Sequence, residues 1–169
     1  MSRGLGDVYK RQHVQHRYVE TSHPSKIESI TLQTGSDVVI QSGDRNSVKV
    51  VSGLQKPTVE VNDGHLTVKS SSGSYQTFNF QLTRAIHDTT VITVAKGTKL
   101  SEIKADSQQE GDVRISNLAV KSLALQIHGD LNLNQLTVYD PLTDLTAEST
   151  SLTKVTAPSL GLKSDGDVH

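Results

Sequence analysis

His13 and His16 stand three residues apart, a spacing at which two imidazoles clamp a metal ion, but two histidines are an incomplete ligand set. Asp165-Gly166-Asp167 carries the oxygen ligands of part of a calcium loop. The Gly-Gly-x-Gly-x-Asp nonapeptide of calcium-binding β-rolls is absent, so these aspartates are expected to cap a chain corner. His87-Asp88 with one of the many serines would supply the parts of a nucleophilic triad, yet nothing resembles a nucleophile elbow. Glycoside cleavage on a β-helix needs two carboxylates on one strand face. The outward positions here read as Lys, Arg, Gln, Asn and Thr, and no carboxylates are expected to pair one coil apart. Asn132 and Asn134 begin a polar ladder whose simplest role is structural stacking. No residue is therefore assigned as catalytic, cofactor-binding or metal-binding, and no cofactor is expected.

The elements that would position these residues are set by a repeat. Gly-Asp followed by an apolar residue occurs at Gly111-Asp112-Val113, Gly129-Asp130-Leu131 and Gly166-Asp167-Val168. The glycines are separated by 18 and then 37 residues, one step and two steps of similar length. A fixed period of this size indicates stacked coils, because one such unit cannot bury its apolar face alone. Val113-Arg114-Ile115-Ser116-Asn117-Leu118 is answered by Leu131-Asn132-Leu133-Asn134-Gln135-Leu136, apolar at the same three positions. Leu123-Ala124-Leu125-Gln126-Ile127 and Leu160-Gly161-Leu162 read as the second strand of each coil. Glycine is expected at a corner whose backbone a Cβ would obstruct, with aspartate capping the free amides. The coil near Glu148–Ser151 lacks the Gly-Asp pair, has Pro141 and Pro158 in its corners, and should be the most irregular.

Upstream, Ile30-Thr31-Leu32, Val38-Val39-Ile40, Val48-Lys49-Val50, Val59-Glu60-Val61, Leu66-Thr67-Val68, Phe78 to Leu82 and Ile92-Thr93-Val94 place apolar residues two apart. Turn-forming runs at Gly35-Ser36-Asp37, Gly43 to Asn46, Asn62-Asp63-Gly64 and Ser70 to Ser74 separate them. Short strands at this spacing predict an all-β layer or sandwich, with a hairpin turn over Asn62–His65. No apolar set recurs with helical spacing.

Composition agrees with a narrow β core. The 169 residues are 34% hydrophobic and 4% aromatic, with no Trp. A coil interior lined by Val, Ile and Leu accommodates that lack of bulk. The net charge is −1 without a basic stripe, which argues against nucleic acid or an anionic membrane surface as a partner. The absence of Cys excludes disulfides and thiolate metal sites. No run approaches the ~18 apolar residues that span a bilayer.

Residues 1–12, MSRGLGDVYKRQ, share no periodicity with the rest of the chain and resemble translated sequencing-adapter read-through. The chain stops two residues into a new strand after Ser164-Asp165-Gly166-Asp167, and it is read as a fragment. The expected organisation is a tail over 1–26, an N-terminal antiparallel-type β region over 27–99, and β-solenoid repeats over 100–169 with coils of about 18 residues.

This order of features resembles the bacterial putative-adhesin family, a domain of unknown function common in Firmicutes and associated with cell-envelope stress systems. The resemblance rests on Ile27-Glu28-Ser29-Ile30 leading to Ser36-Asp37-Val38-Val39-Ile40, then Asn62 to Val68, then Ile92 to Ile103, and the Gly-Asp-apolar repeats. It covers about residues 27–168, with Ala95 where the family turn usually has Pro. It implies a non-enzymatic binding module at a bacterial cell surface, extracytoplasmic, with a cell-envelope glycan or surface protein as partner; end-to-end self-association is expected separately, from open coil ends that stack with further copies. The competing readings are a carbohydrate-active β-helix enzyme and a purely structural stalk.

Overall fold

A computed structural model describes residues 18–52, 57–69, 89–158 and 160–164. Over those residues the chain is all β, and thirteen strands form one sheet that curls on itself with an apolar interior. Residues 1–12, His13, His16, Ser70 to Ser74, Phe78 to Leu82, His87-Asp88 and Asp165 to Val168, singled out above, lie outside the described residues.

In chain order the strands are β1 (Tyr18–Ser22), β2 (Ser29–Gln33), β3 (Asp37–Gly43), β4 (Ser47–Ser52), β5 (Thr58–Asn62), β6 (His65–Lys69) and β7 (Thr89–Ala95). They continue with β8 (Lys99–Gln109), β9 (Val113–Ile127), β10 (Asp130–Val138), β11 (Leu142–Ala147), β12 (Ser149–Thr156) and β13 (Leu160–Ser164). Alternation of apolar and polar residues produces them. In β7 every second residue, from Thr90 through Ile92 to Val94, is buried, as a pleated strand with one covered face requires.

Rungs stack in parallel along two faces. On one face β7, β3, β9, β10 and β12 lie side by side, and Val38, Val113, Leu131 and Thr150 share one inward row. On the other, β6, β2, β8, the second half of β9, and β11 stack, so that Leu32, Ala105, Leu125 and Leu145 share another. These side chains are all buried, and each fully buried aliphatic one contributes about 1.5–3 kcal/mol. Register offsets vary: Val113 pairs with Leu131, 18 residues on, but Leu131 pairs with Thr150, 19 on, and Leu100 with Val120, 20 on. The fold is β-solenoid-like, with a repeat that is not of constant length.

The strand directions correct one expectation. Over 27–99 an antiparallel-type region was expected, yet β2 runs parallel to both β6 and β8, and β3 runs parallel to both β7 and β9. Alternation reports which side chains are buried and is the same for both pairing directions. Among the described residues antiparallel pairing is found only at the outside of this region, where β4 pairs β7, β1 pairs β4, and β5 pairs β6. The β6–β7 rung lies on the far side of β2–β3 from β8, so the stack order departs from the chain order. The β5–β6 connection is the hairpin expected at Asn62–His65, with Asp63 (φ 50°) and Gly64 (φ 85°) both left-handed. Beside it the Lys26 ammonium is 3.4 Å from Asp63 and 3.6 Å from Glu28, and its hydrogen bond to Asp63 raises its pKa.

Two kinds of corner stand out among the described residues. Within β9 the alternation slips at Ser116-Asn117, and Asn117 takes φ 58°. Gln135 (φ 52°) in β10 and Lys154 (φ 55°) in β12 occupy the same place on the next two rungs. A left-handed residue absorbs one position, so Leu118 and Leu136 return to the interior three residues after Ile115 and Leu133. The second kind of corner, between β2 and β3 and between β8 and β9, holds a buried polar clip. Gln109 is fully buried; its Oε1 accepts from the Thr34 amide at 2.9 Å, and its Nε2 donates to the Ser36 carbonyl at 3.0 Å. The coil at Glu148–Ser151 has its own defects. Thr150 Oγ1 is buried without a partner among the described residues, and the β11–β13 register shifts between Leu142 and Leu145.

Candidate functional site

Gly111-Asp112 and Gly129-Asp130 lie where the chain enters the first face of the stack, and their aspartates line up with Asp37 across the rungs. The Asp112 amide donates to Asp37 Oδ1 at 2.9 Å, and the Asp130 amide donates to Asp112 Oδ1 at 2.8 Å. Ser149, standing where the next aspartate would be, donates its hydroxyl to Asp130 Oδ1 at 2.9 Å. Three carboxylates thus stack on successive rungs, each tied by one oxygen to the rung above it. This corrects the expectation that no carboxylates pair one coil apart. Ser36-Asp37-Val38 carries the same Asp-apolar signal as the repeats, but its preceding residue is Ser rather than Gly.

The glycines allow the rungs to close up, though not through an unusual backbone. Among the described glycines only Gly64 and Gly97 have positive φ. A Cβ on Gly111 would collide with the Ser36 carbonyl, and one on Gly129 would come within 2.6 Å of Asp112 Oδ1 and 2.8 Å of the Gly111 carbonyl. Glycine is needed here for close approach between rungs, and the left-handed corners fall instead at Asn117, Gln135 and Lys154.

Beside the aspartates runs a second outward row in which Val39, Arg114, Asn132 and Ser151 are register partners. Asn134 pairs with Ser116 and Thr153, so Asn132 and Asn134 enter mixed polar rows rather than an asparagine ladder. The two rows line an open groove of about 330 Å³, bounded by Asp37, Asp112, Asp130, Arg114, Asn132 and Ser151 among others. Arg114 is exposed and makes no ion pair among the described residues. The groove therefore offers carboxylate and amide acceptors beside guanidinium, amide and hydroxyl donors, on a rigid sheet. Among the described residues no group of three or more His, Asp or Glu is arranged to hold a metal ion.

A second constellation lies on the other face and was not legible in the sequence. His65 on β6 is bracketed by two hydroxyls of β2, with Ser29 Oγ at Nδ1 and Thr31 Oγ1 at Nε2, the latter 3.0 Å away. A nucleophilic serine needs a base oriented by a third group that stabilises the imidazolium. A threonine hydroxyl fills that place here, so the cluster fits a cross-strand clasp. No described helix is long and apolar enough to cross a membrane.

The fold has a solved counterpart. A "putative cell adhesion protein" from Clostridium sporogenes superposes with a TM-score of 0.51 at 11% identity, covering 90% of this chain and 96% of that one. A "putative adhesin" from Parabacteroides distasonis aligns over 89% of this chain and 76% of its own length, with 13% identity and a TM-score of 0.43. No curated relative matches the sequence. The profile of the Toastrack DUF4097 family matches residues 27–169. With its stacked rungs and curled sheet, the chain belongs to the Toastrack DUF4097 family.

Proposed function

We propose that this chain is a non-enzymatic, adhesin-like binding module of the bacterial cell surface, acting through the polar face that carries the aspartate row. The observation that carries the reading is the register itself. Asp37, Asp112 and Asp130 form one outward row, at or just before the starts of β3, β9 and β10, and Arg114, Asn132 and Ser151 form another, on strands backed by buried Val, Ile and Leu. Such a surface holds its groups at fixed spacing without induced fit, so contacts that are weak one by one add along the stack. The name of the Clostridium sporogenes counterpart agrees with adhesion.

The aligned carboxylates are the feature a polysaccharide-cleaving enzyme would also need. Each carboxylate here accepts a hydrogen bond from a neighbouring rung, which suits holding rungs together better than exchanging protons with a substrate. Immobilised protein is expected to retain envelope material that the free monomer binds poorly, and a chelator is expected to leave thermal stability unchanged. Cleavage of any glycan in a broad polysaccharide panel, abolished by Asp112→Asn, would replace the binding module with the enzyme.

A further inference from the structure

Parallel rungs are separated by roughly 4.8 Å, close to the length that one β-linked pyranose adds to an extended chain. The groove sets polar groups at that interval across β3, β9, β10 and β12. Asp37, Asp112 and Asp130 present carboxylates on successive rungs, and Arg114, Asn132 and Ser151 present donors beside the last two of these and beyond. Resting on the binding-module reading, we propose that this groove takes an extended, uncharged glycan laid across the strands, one sugar residue per rung.

The hydrogen-bond inventory favours that class. Each carboxylate spends one oxygen on the neighbouring rung and keeps the other as an acceptor, which a sugar hydroxyl satisfies. Arg114 and Asn132 supply donors to ring and hydroxyl oxygens, and Asn132 supplies an acceptor as well. Three carboxylates against one guanidinium repel a polyanion such as a uronate or a phosphate polymer. An open groove on a flat sheet suits a ribbon-like polymer that passes through it, whereas a compact small molecule would be only partly covered.

Calorimetry of the full chain with β-1,4-linked glucose or N-acetylglucosamine oligomers of two to six units tests the proposal. Affinity should rise with each added sugar up to about four units, the number of rungs in the groove, and then level off. Asp112→Asn keeps the acceptor for the Asp130 amide, so the fold should survive. This change, Arg114→Gln and Asn132→Ala should each weaken binding by about five- to tenfold, the loss of one net hydrogen bond. Lys104→Ala, an exposed side chain of β8 on the other face, should leave binding unchanged, and oligogalacturonate should not bind. Neutral oligomers that fail to bind, bind without length dependence, or bind the groove variants as well as the parent would overturn the assignment. The retention of envelope material by immobilised protein separates the two readings. Retention that persists in the groove variants removes the glycan groove alone, whereas no retention by the parent removes the binding module with it.

Discussion

At Gly111 a methyl group has nowhere to go, because the Ser36 carbonyl of the neighbouring rung occupies its place and belongs to rigid backbone. Gly111→Ala should therefore force the β2–β3 and β8–β9 corners apart and cost about 3 kcal/mol, measurable by denaturant unfolding. A loss below about 0.5 kcal/mol would mean that the rungs are not held this close. Gln135 presents the opposite case. It is exposed and left-handed, a conformation that costs a non-glycine residue about 1–2 kcal/mol. Glycine would remove that cost while adding about 0.5–1 kcal/mol of unfolded-state entropy. Gln135→Gly is thus expected to stabilise the protein by about 0.5 kcal/mol, and marked destabilisation would show that this corner is built differently. Two corner positions of the folded stack respond in opposite directions, since one is crowded and the other is twisted.

At the scale of the element, the second half of β9 shows how a strand is specified by its two faces. Leu125 is fully buried between Ala105 and Leu145, and Gln126 points outward with its amide 3.2 Å from Asp144. Leu125→Asp places an unpaired carboxylate in the interior, costs several kcal/mol and should unfold the stack, as tracked by far-UV circular dichroism. Gln126→Asp sets two exposed carboxylates side by side and should cost less than about 1 kcal/mol. Equal damage from both substitutions would refute the register. β9 also shows why a coil need not be two separate strands. Its chain turns at Asn117 and goes on pairing: Val113 to Ile115 lie beside β3, residues as far as Val120 beside β10, Ala119 onward beside β8, and Leu125-Gln126 beside β11.

For the whole molecule, one end of the stack is closed by antiparallel strands. β4 lies on β7, β1 on β4, and β5 on β6, so the parallel rungs do not present their own edge there. Removal of residues through Ser22 deletes β1 and exposes the β4 edge, whose Val48 and Val50 are buried in the core. A bare strand edge recruits other strands, and the shortened protein is expected to self-associate with rising concentration in light scattering. A strictly monomeric shortened protein would show that β1 does not protect this end. The parallel arrangement also sets the functional surface, because stacking brings side chains from residues 37, 112 and 130 into one row.

Much of this architecture is written locally. The Val-x-Ile-x-x-Leu spacing of residues 113–118, matched by Leu-x-Leu-x-x-Leu at 131–136, determines both the inward side chains and the slip at Asn117 and Gln135, since side-chain facing is a property of the chain's own pleat. The Asn62–His65 turn was legible for the same reason, because Asp63 and Gly64 carry the left-handed conformations themselves. Pairing was not local. Whether Ile30 lies beside Leu66 and Ile103, and in which direction, depends on how corners route the chain, and apolar alternation is silent on that. Asp37 stands 75 residues before Asp112 and joins its row only because β3 and β9 stack. Gln109 reads as an ordinary polar residue until two corners close around it and leave the Thr34 amide and Ser36 carbonyl to be satisfied. Burial pattern and turn chemistry thus resided in the sequence, whereas strand partners, the aspartate row and the groove came from contacts between distant residues that only the folded stack creates.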